Sequence, residues 1–417
     1  MRRRLLAAVC AAAFLAGVGR AGPPGPGFHA GVRVSGATRL DWTFVLGNRS
    51  LAGPPAEWGL AGYDAAEQRY DLQVPARRDP KAPAALVLFL SAGKDAGPGK
   101  AFARVCRSRG WFYAAPLAAG NDCPSQRRVR IILDVLDDVR RQFPIDPDRT
   151  YVAGLSGGGR VACHVAFALP ELFGGVVPVC AGGYPREESW LRRRVIERLS
   201  VALVTGEKDF NRAEVERFRG PYFKEVGVRS RVWAVRGMGH TTPGEGVLGE
   251  VLRWLEGGLA RRQALARKHP ASRLPVSAAC DRASLARALL AEGRERLKAK
   301  ETLYAGLMQV KGVRARWPDL DAGKEALRLL EEYEAKAEKP WEADDVAEQW
   351  TFLVAQAHAM DGYASGALPR EYATMRPDML RSAVALWQQV LAARPDSAAG
   401  KEARKRVPEL KKLLEKE

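Results

Sequence analysis

At 417 residues, 47% of them hydrophobic, the chain is long enough for two or three domains and apolar enough to bury a core, which excludes a disordered protein. Its net charge of +18 comes largely from arginines scattered along the chain, without aromatic interleaving or a nucleic-acid module. It reads as a solvated basic surface, suited to anionic envelope or polysaccharide surfaces and not to nucleic acid.

The first residues have the pattern of an export signal. Arg2-Arg3-Arg4 supply the positive region, 5–18 the apolar run and Gly19-Arg20-Ala21 a small-residue cleavage site. A mature protein starting at 22 would then be periplasmic or extracellular. Cys10 belongs to the discarded segment, so five cysteines remain and at least one thiol is free or pairs with another chain. There is no Cys-x-x-Cys pair and the histidines do not cluster with cysteines, so neither a metal nor a cofactor is expected.

Residues 22–62 read as an extension with early strands: a Gly/Pro-rich flexible stretch to about 30, then a strand at 40–45. A second strand is expected at 69–74. From 63 to 262 the pattern becomes regular. Strands at 85–90, 111–115, 150–155, 175–180, 201–205 and 231–235 alternate with helices near 99–108, 127–142, 159–169, 187–199, 212–226 and 245–257. Continuous apolar strands separated by amphipathic helices predict a doubly wound, mostly parallel α/β sheet. Asp146-Pro147-Asp148 is a turn feeding the strand at 150–155.

At 263–280 the pattern dissolves into a Pro/Ser-containing linker, and 281–417 is all-α in character. Pro318-Asp319-x-x-Ala322-Gly323-Lys324-Glu325-Ala326 recurs with the same spacing at Pro395-Asp396-x-x-Ala399-Gly400-Lys401-Glu402-Ala403. Each copy lies between two helical stretches. This region resembles the degenerate tetratricopeptide-like hairpins of bacterial exported proteins, which implies an independent helical-hairpin module that docks a protein partner or the α/β part of the chain itself.

The chemistry centres on Gly154-Leu155-Ser156-Gly157-Gly158, placed between a strand and a helix. Small flanking residues permit the tight turn that lifts a serine hydroxyl clear of the backbone. A serine needs a base, itself oriented by a carboxylate. His29 lies in the flexible start, His164 on the helix leaving the serine, and His269 and His358 outside the α/β region. That leaves His240, in the loop after the last strand. Asp209 is the expected acid and Glu207 its competitor; the glycine turn and longer reach favour Asp209. Cys163 and Cys180 are the disulfide candidates, on a helix and strand expected to pack together.

The run from Ile145 to Gly159, continued by Pro170-Glu171-Leu172-Phe173, resembles the polyhydroxybutyrate-depolymerase-like and feruloyl-type esterases of the α/β-hydrolase superfamily. The resemblance places Ser156, Asp209 and His240 after the fifth, seventh and eighth strands. It implies an exported carboxylic-ester hydrolase acting on a small or polymeric ester through an acyl-serine intermediate. It also implies an oxyanion hole from the backbone of Gly157 and of either Ala92 or Gly93, in a loop lacking the His-Gly-Gly form of many lipases. With about 20 residues between the strands at 175–180 and 201–205, no large cap is inserted and an open site is expected. Two other readings compete: a prolyl-oligopeptidase-like serine peptidase, and a non-catalytic binding or assembly protein using the helical tail.

Overall fold

A computed structural model describes residues 22–217, 222–277, 280–368 and 370–417; the expected export signal at 1–21 lies outside the described residues. Within them, eight strands form one mixed sheet: β1 Gly27–Arg33, β2 Arg69–Val74, β3 Ala84–Leu90, β4 Phe112–Pro116, β5 Ile145–Leu155, β6 Gly175–Val179, β7 Ser200–Gly206 and β8 Arg229–Val235. Their spatial order is β1-β2-β4-β3-β5-β6-β7-β8. Pairing is antiparallel for β1–β2 and β2–β4 and parallel from β4 through β8.

The apolar runs of the central strands serve two cores. On β3, Leu86, Leu88 and Leu90 join one cluster and Ala85, Val87 and Phe89 the other, as the twofold period of a strand dictates. The helices of this part of the chain are α1 Thr43–Leu46, α2 Lys100–Arg109, α3 Ser125–Gln142, α4 Gly157–Ala168, α5 Ser189–Arg198, α6 Arg212–Arg217, α7 Phe223–Glu225, α8 Glu245–Glu256 and α9 Leu259–Lys268. The first cluster is packed by α3, α4 and α5, the second by α2 and α8.

Three local expectations differ from what is found. Residues 40–45 contain the helix α1, not a strand, with Trp42, Thr43, Phe44 and Val45 all buried. The stretch expected to be flexible carries β1, paired to β2 with a register shift between His29 and Val32 that Gly31 permits at φ +61°. The single helix expected over 212–226 is described as two, α6 and α7. At Asp146-Pro147-Asp148 the chain leaves regular pairing inside β5: Ala84 pairs Ile145, and Leu86 next pairs Thr150. Asp148 N–H closes this excursion on the Asp146 carboxylate at 2.9 Å.

Residues 263–280, expected as a linker, pack onto the sheet domain where described. Arg262, buried in α9, donates to the Asp148 carbonyl at 2.8 Å and to Tyr151 Oη at 3.0 Å. Arg273 pairs with Asp148 at 2.6 Å, and the Pro275 carbonyl accepts from Arg140 at 3.1 Å.

Six helices follow: α10 Arg282–Arg296, α11 Leu303–Arg316, α12 Asp321–Glu334, α13 Glu342–Ser365, α14 Arg376–Ala393 and α15 Ala398–Leu414. They do not stand apart from the sheet. Leu285, Leu289, Leu307, Met308, Val313 and Trp317 belong to the same hydrophobic cluster as β3 and α3 to α5; a separate cluster serves α14 and α15. At the seam, Arg316 is fully buried between Asp41 (3.0 Å) and Glu171 (2.9 Å), and Trp317 Nε1 donates to Asp41 at 3.1 Å. The repeated Pro-Asp sequence is a helix-hairpin corner in both copies. A Cβ on Gly323 would lie 1.9 Å from the Trp317 carbonyl oxygen, and one on Gly400 2.3 Å from that of Arg394. Glycine is what lets each second helix start against the end of the first.

The expected Cys163–Cys180 disulfide is absent, and both thiols are free. The physical reason is the sheet: Cys163 is buried in one hydrophobic cluster and Cys180 in the other.

Candidate active site

The parallel strands end in register, and this sets the site. Leu155 pairs Val179, and Val179 pairs Val204. The residues that follow, Ser156 and Cys180, continue the ladder: Ser156 N–H donates to the Val179 carbonyl at 2.9 Å and Cys180 N–H to that of Val204 at 2.7 Å. Ser156, the acid loop after β7 and the histidine loop after β8 therefore emerge along one carboxyl edge, where open α/β sheets place ligands.

Ser156 has φ +54° and ψ −123°, a strained conformation for a residue with a side chain. The close packing of its neighbours enforces it. A Cβ on Gly154 would meet the Gly158 carbonyl at 2.5 Å, and one on Gly158 the Leu90 carbonyl at 2.1 Å. Only glycines let the β3 and β5 ends and the start of α4 approach so closely.

His240 Nδ1 lies 2.7 Å from Asp209 Oδ1. Asp209 has no exposed side-chain surface and is fully provided with donors: Thr205 Oγ1 at 2.7 Å to Oδ2 and the Asn211 N–H at 3.0 Å to Oδ1. Burial pushes this carboxyl up, but the hydrogen bonds from His240, Thr205, the Asn211 backbone and Cys180 outweigh it and hold it below the usual carboxylate range. Glu207 is used elsewhere; its exposed carboxylate accepts the Gly237 N–H at 2.9 Å. The Phe210 ring stacks on His240 at 3.9 Å between centroids while staying 51% exposed. Among the described residues no hydrogen bond joins Ser156 Oγ to His240, so the geometry closes the histidine–carboxylate half of the expected constellation.

At the other side of Ser156, α4 begins directly at Gly157, whose free helix-start amide favours an anion. Asn121, which sequence reasoning missed, sits against it: a Cβ on Gly157 would meet Asn121 Oδ1 at 2.0 Å. Arg128 holds this arrangement, donating to Asn121 Oδ1 at 3.2 Å and to the Ser91 carbonyl at 2.9 Å. In the loop after β3, Gly93 N–H donates to Ser91 Oγ at 3.1 Å, and the Ala92 carbonyl accepts the Asn121 N–H at 2.8 Å. The other unforeseen contributors are Thr205, Asn211, Phe210 and Cys180. A Gly120-Asn121 pair in the loop after β4 and a threonine near the end of β7 are the available signals.

Two clefts adjoin this edge of the sheet, and neither is lined by Ser156 or His240. A cleft of about 730 Å³ runs from Asp209 and Phe210 along α6 to Gly362, Gly366 and Leu368 of the C-terminal region. A second, of about 420 Å³, lies between Arg160 and Gly182 on one side and Tyr363 and Tyr372 on the other. No cap is inserted after β6; the chain's own C-terminal helices form the facing wall. The other histidines serve elsewhere. His29 bonds the Gly25 carbonyl, and His358 sits between Glu225 and Glu402 at 3.1 Å from each.

No family model matches the chain. A poly(3-hydroxyalkanoate) depolymerase C of Paucimonas lemoignei is 31% identical over 74 residues, which is 18% of this chain; the match spans only 17% of that relative's length. Among solved structures, an S-formylglutathione hydrolase of Staphylococcus aureus is similar at 14% identity and a TM-score of 0.38, over 45% of this chain and 92% of its own. The esterase Est1E of Butyrivibrio proteoclasticus is similar at 14% identity and 0.36, over 46% and 96%. Esterase PE8 is similar at 18% identity and 0.37, over 44% and 97%.

Proposed function

We propose that the protein is a serine hydrolase of carboxylic esters. The observation that carries this reading is the 2.7 Å His240–Asp209 pair, set on the same sheet edge as a serine held at φ +54°. In this mechanism Ser156 Oγ attacks the ester carbonyl carbon while His240 Nε2 takes its proton. The tetrahedral oxyanion is met by the Gly157 N–H and by that of Ala92, since Gly93 already donates to Ser91. Collapse breaks the bond to the alcohol oxygen, which leaves with the proton from His240. Water, deprotonated by His240, then attacks the acyl-serine and releases the acid. Asp209 stays ionised throughout, holding the imidazole tautomer and stabilising the imidazolium.

The similarities to a depolymerase and to esterases lie in the same direction as the ester reading. Export remains part of the proposal and rests on residues 2–21 of the sequence. So does the tetratricopeptide-like character of α11–α12 and α14–α15, which rests on the repeated corner.

The test is turnover of 4-nitrophenyl acetate by the purified chain. Asp209→Asn should lower kcat about 10⁴-fold, because the amide favours the wrong imidazole tautomer, while Glu207→Gln should stay within about threefold of the parent. If Glu207→Gln is the more damaging change, the acid is misassigned.

A further inference from the structure

We propose that Cys180 is a positioning residue of this site, its thiol a weak donor to the carboxylate of Asp209 and its bulk a support beneath the histidine loop; the proposal rests on the hydrolytic reading above.

Cys180 directly follows β6, between Ser156 after β5 and the acid loop after β7. Its backbone is left-handed at φ +53°, strained for a residue with a side chain and maintained by bonds on both sides. Its N–H donates to Val204, and its carbonyl accepts from Asn211 Nδ2 at 3.1 Å. The same Asn211 gives its backbone N–H to Asp209. The thiol points beneath the histidine loop. Sγ lies 3.9 Å from the Gly239 carbonyl and 3.6 Å from that of Thr241, the residues flanking His240. The sulfur, an Asp209 oxygen and a His240 ring nitrogen all lie within 4.8 Å of one another.

Three acceptors therefore face a single S–H hydrogen: one carboxylate and two carbonyls. The carboxylate is charged and is the strongest of them. Burial, with Asp209 adding to it, pushes the thiol well above its ordinary range, so it is a donor here and not a nucleophile. The ionisable groups facing it are Asp209 from the loop after β7 and His240 from the loop after β8. A thiol suits this place. It gives Asp209 one more weak donor without displacing His240, and its bulk supports the loop from below.

Removing the donor concentrates charge on Asp209. That favours the protonated state of the base, so the acid limb of the rate profile moves to higher pH. The experiment uses the full chain with 4-nitrophenyl acetate from pH 5 to 9. Cys180→Ala is expected to lower kcat about tenfold with KM unchanged, and to move the acid limb of kcat/KM upward by a few tenths of a pH unit. Cys180→Ser, which restores a donor, should return the limb toward the parental position. Should the alanine variant not fold, Cys180→Gly takes its place; glycine accepts the left-handed backbone without strain and offers no donor. An active parent whose alanine or glycine variant keeps parental kcat and pH profile overturns the role of Cys180. A parent inert on esters overturns the hydrolytic reading instead, so the two failures are separable.

Discussion

Ser156→Ala is expected to lower kcat on 4-nitrophenyl acetate by about 10⁴-fold or more, leaving the fold intact. In the proposed mechanism the hydroxyl is the atom that forms the acyl bond, and the thiols closest in sequence, Cys163 and Cys180, are both buried. His240→Ala should cost about as much, because base and nucleophile act as one unit and their losses do not add. The double variant should therefore be no slower than either single one. Stability should not fall with Ser156→Ala, since alanine occupies the same left-handed position with one atom fewer. Thermal melts of parent and variant that overlay, alongside the rate loss, separate chemistry from misfolding. Turnover near the parental value in a homogeneous, folded preparation of either variant would remove the assignment.

Removal of the C-terminal region should have the second largest effect, and on stability. Arg316 of α11 is fully buried between Asp41 and Glu171, themselves buried. Taking away one partner of such a cluster leaves uncompensated buried charge and costs about 3–5 kcal/mol, against a total stability of about 5–15 kcal/mol for a typical domain. A chain ended at Arg262 also exposes the apolar surface now covered by Leu285, Leu307, Met308 and Trp317. It should be insoluble or lack a cooperative melt. The point variant Arg316→Met isolates the charge effect in the intact chain; its denaturant midpoint should fall by the equivalent of about 3–5 kcal/mol. A truncated chain that melts cooperatively and turns over small esters like the parent would show that the helices are an independent module after all.

This seam marks the boundary of what the sequence makes legible. The six strands from 85 to 235 are readable because buried parallel strands are uninterrupted apolar runs, and the family resemblance places Ser156, Asp209 and His240 after the fifth, seventh and eighth strands. In the structure Ser156 follows β5, Asp209 follows β7 and His240 follows β8. Asp209 and Glu207 are separated in the structure by what each binds, His240 in one case and the Gly237 amide in the other. Local pattern carries no information about partners distant in sequence. Phe44 and Trp42 look like strand residues, but Phe44 packs against Trp190 and Trp42 against Trp58 where α1 meets α3 and α4. The Pro/Ser-containing stretch 263–280 reads as a linker, yet Arg273 and the Pro275 carbonyl find partners more than 100 residues earlier. Cys163 and Cys180 looked adjacent because their elements are; which face each side chain takes depends on strand phase and helix rotation together.

The central claim is that Ser156 is an activated nucleophile, and reaction of the intact protein with a fluorophosphonate tests it most directly. Mass spectrometry should find one phosphonyl adduct per chain, mapped to the peptide carrying Ser156, and none on Ser156→Ala. No adduct on the folded parent protein, or an adduct that persists on Ser156→Ala, would contradict the account.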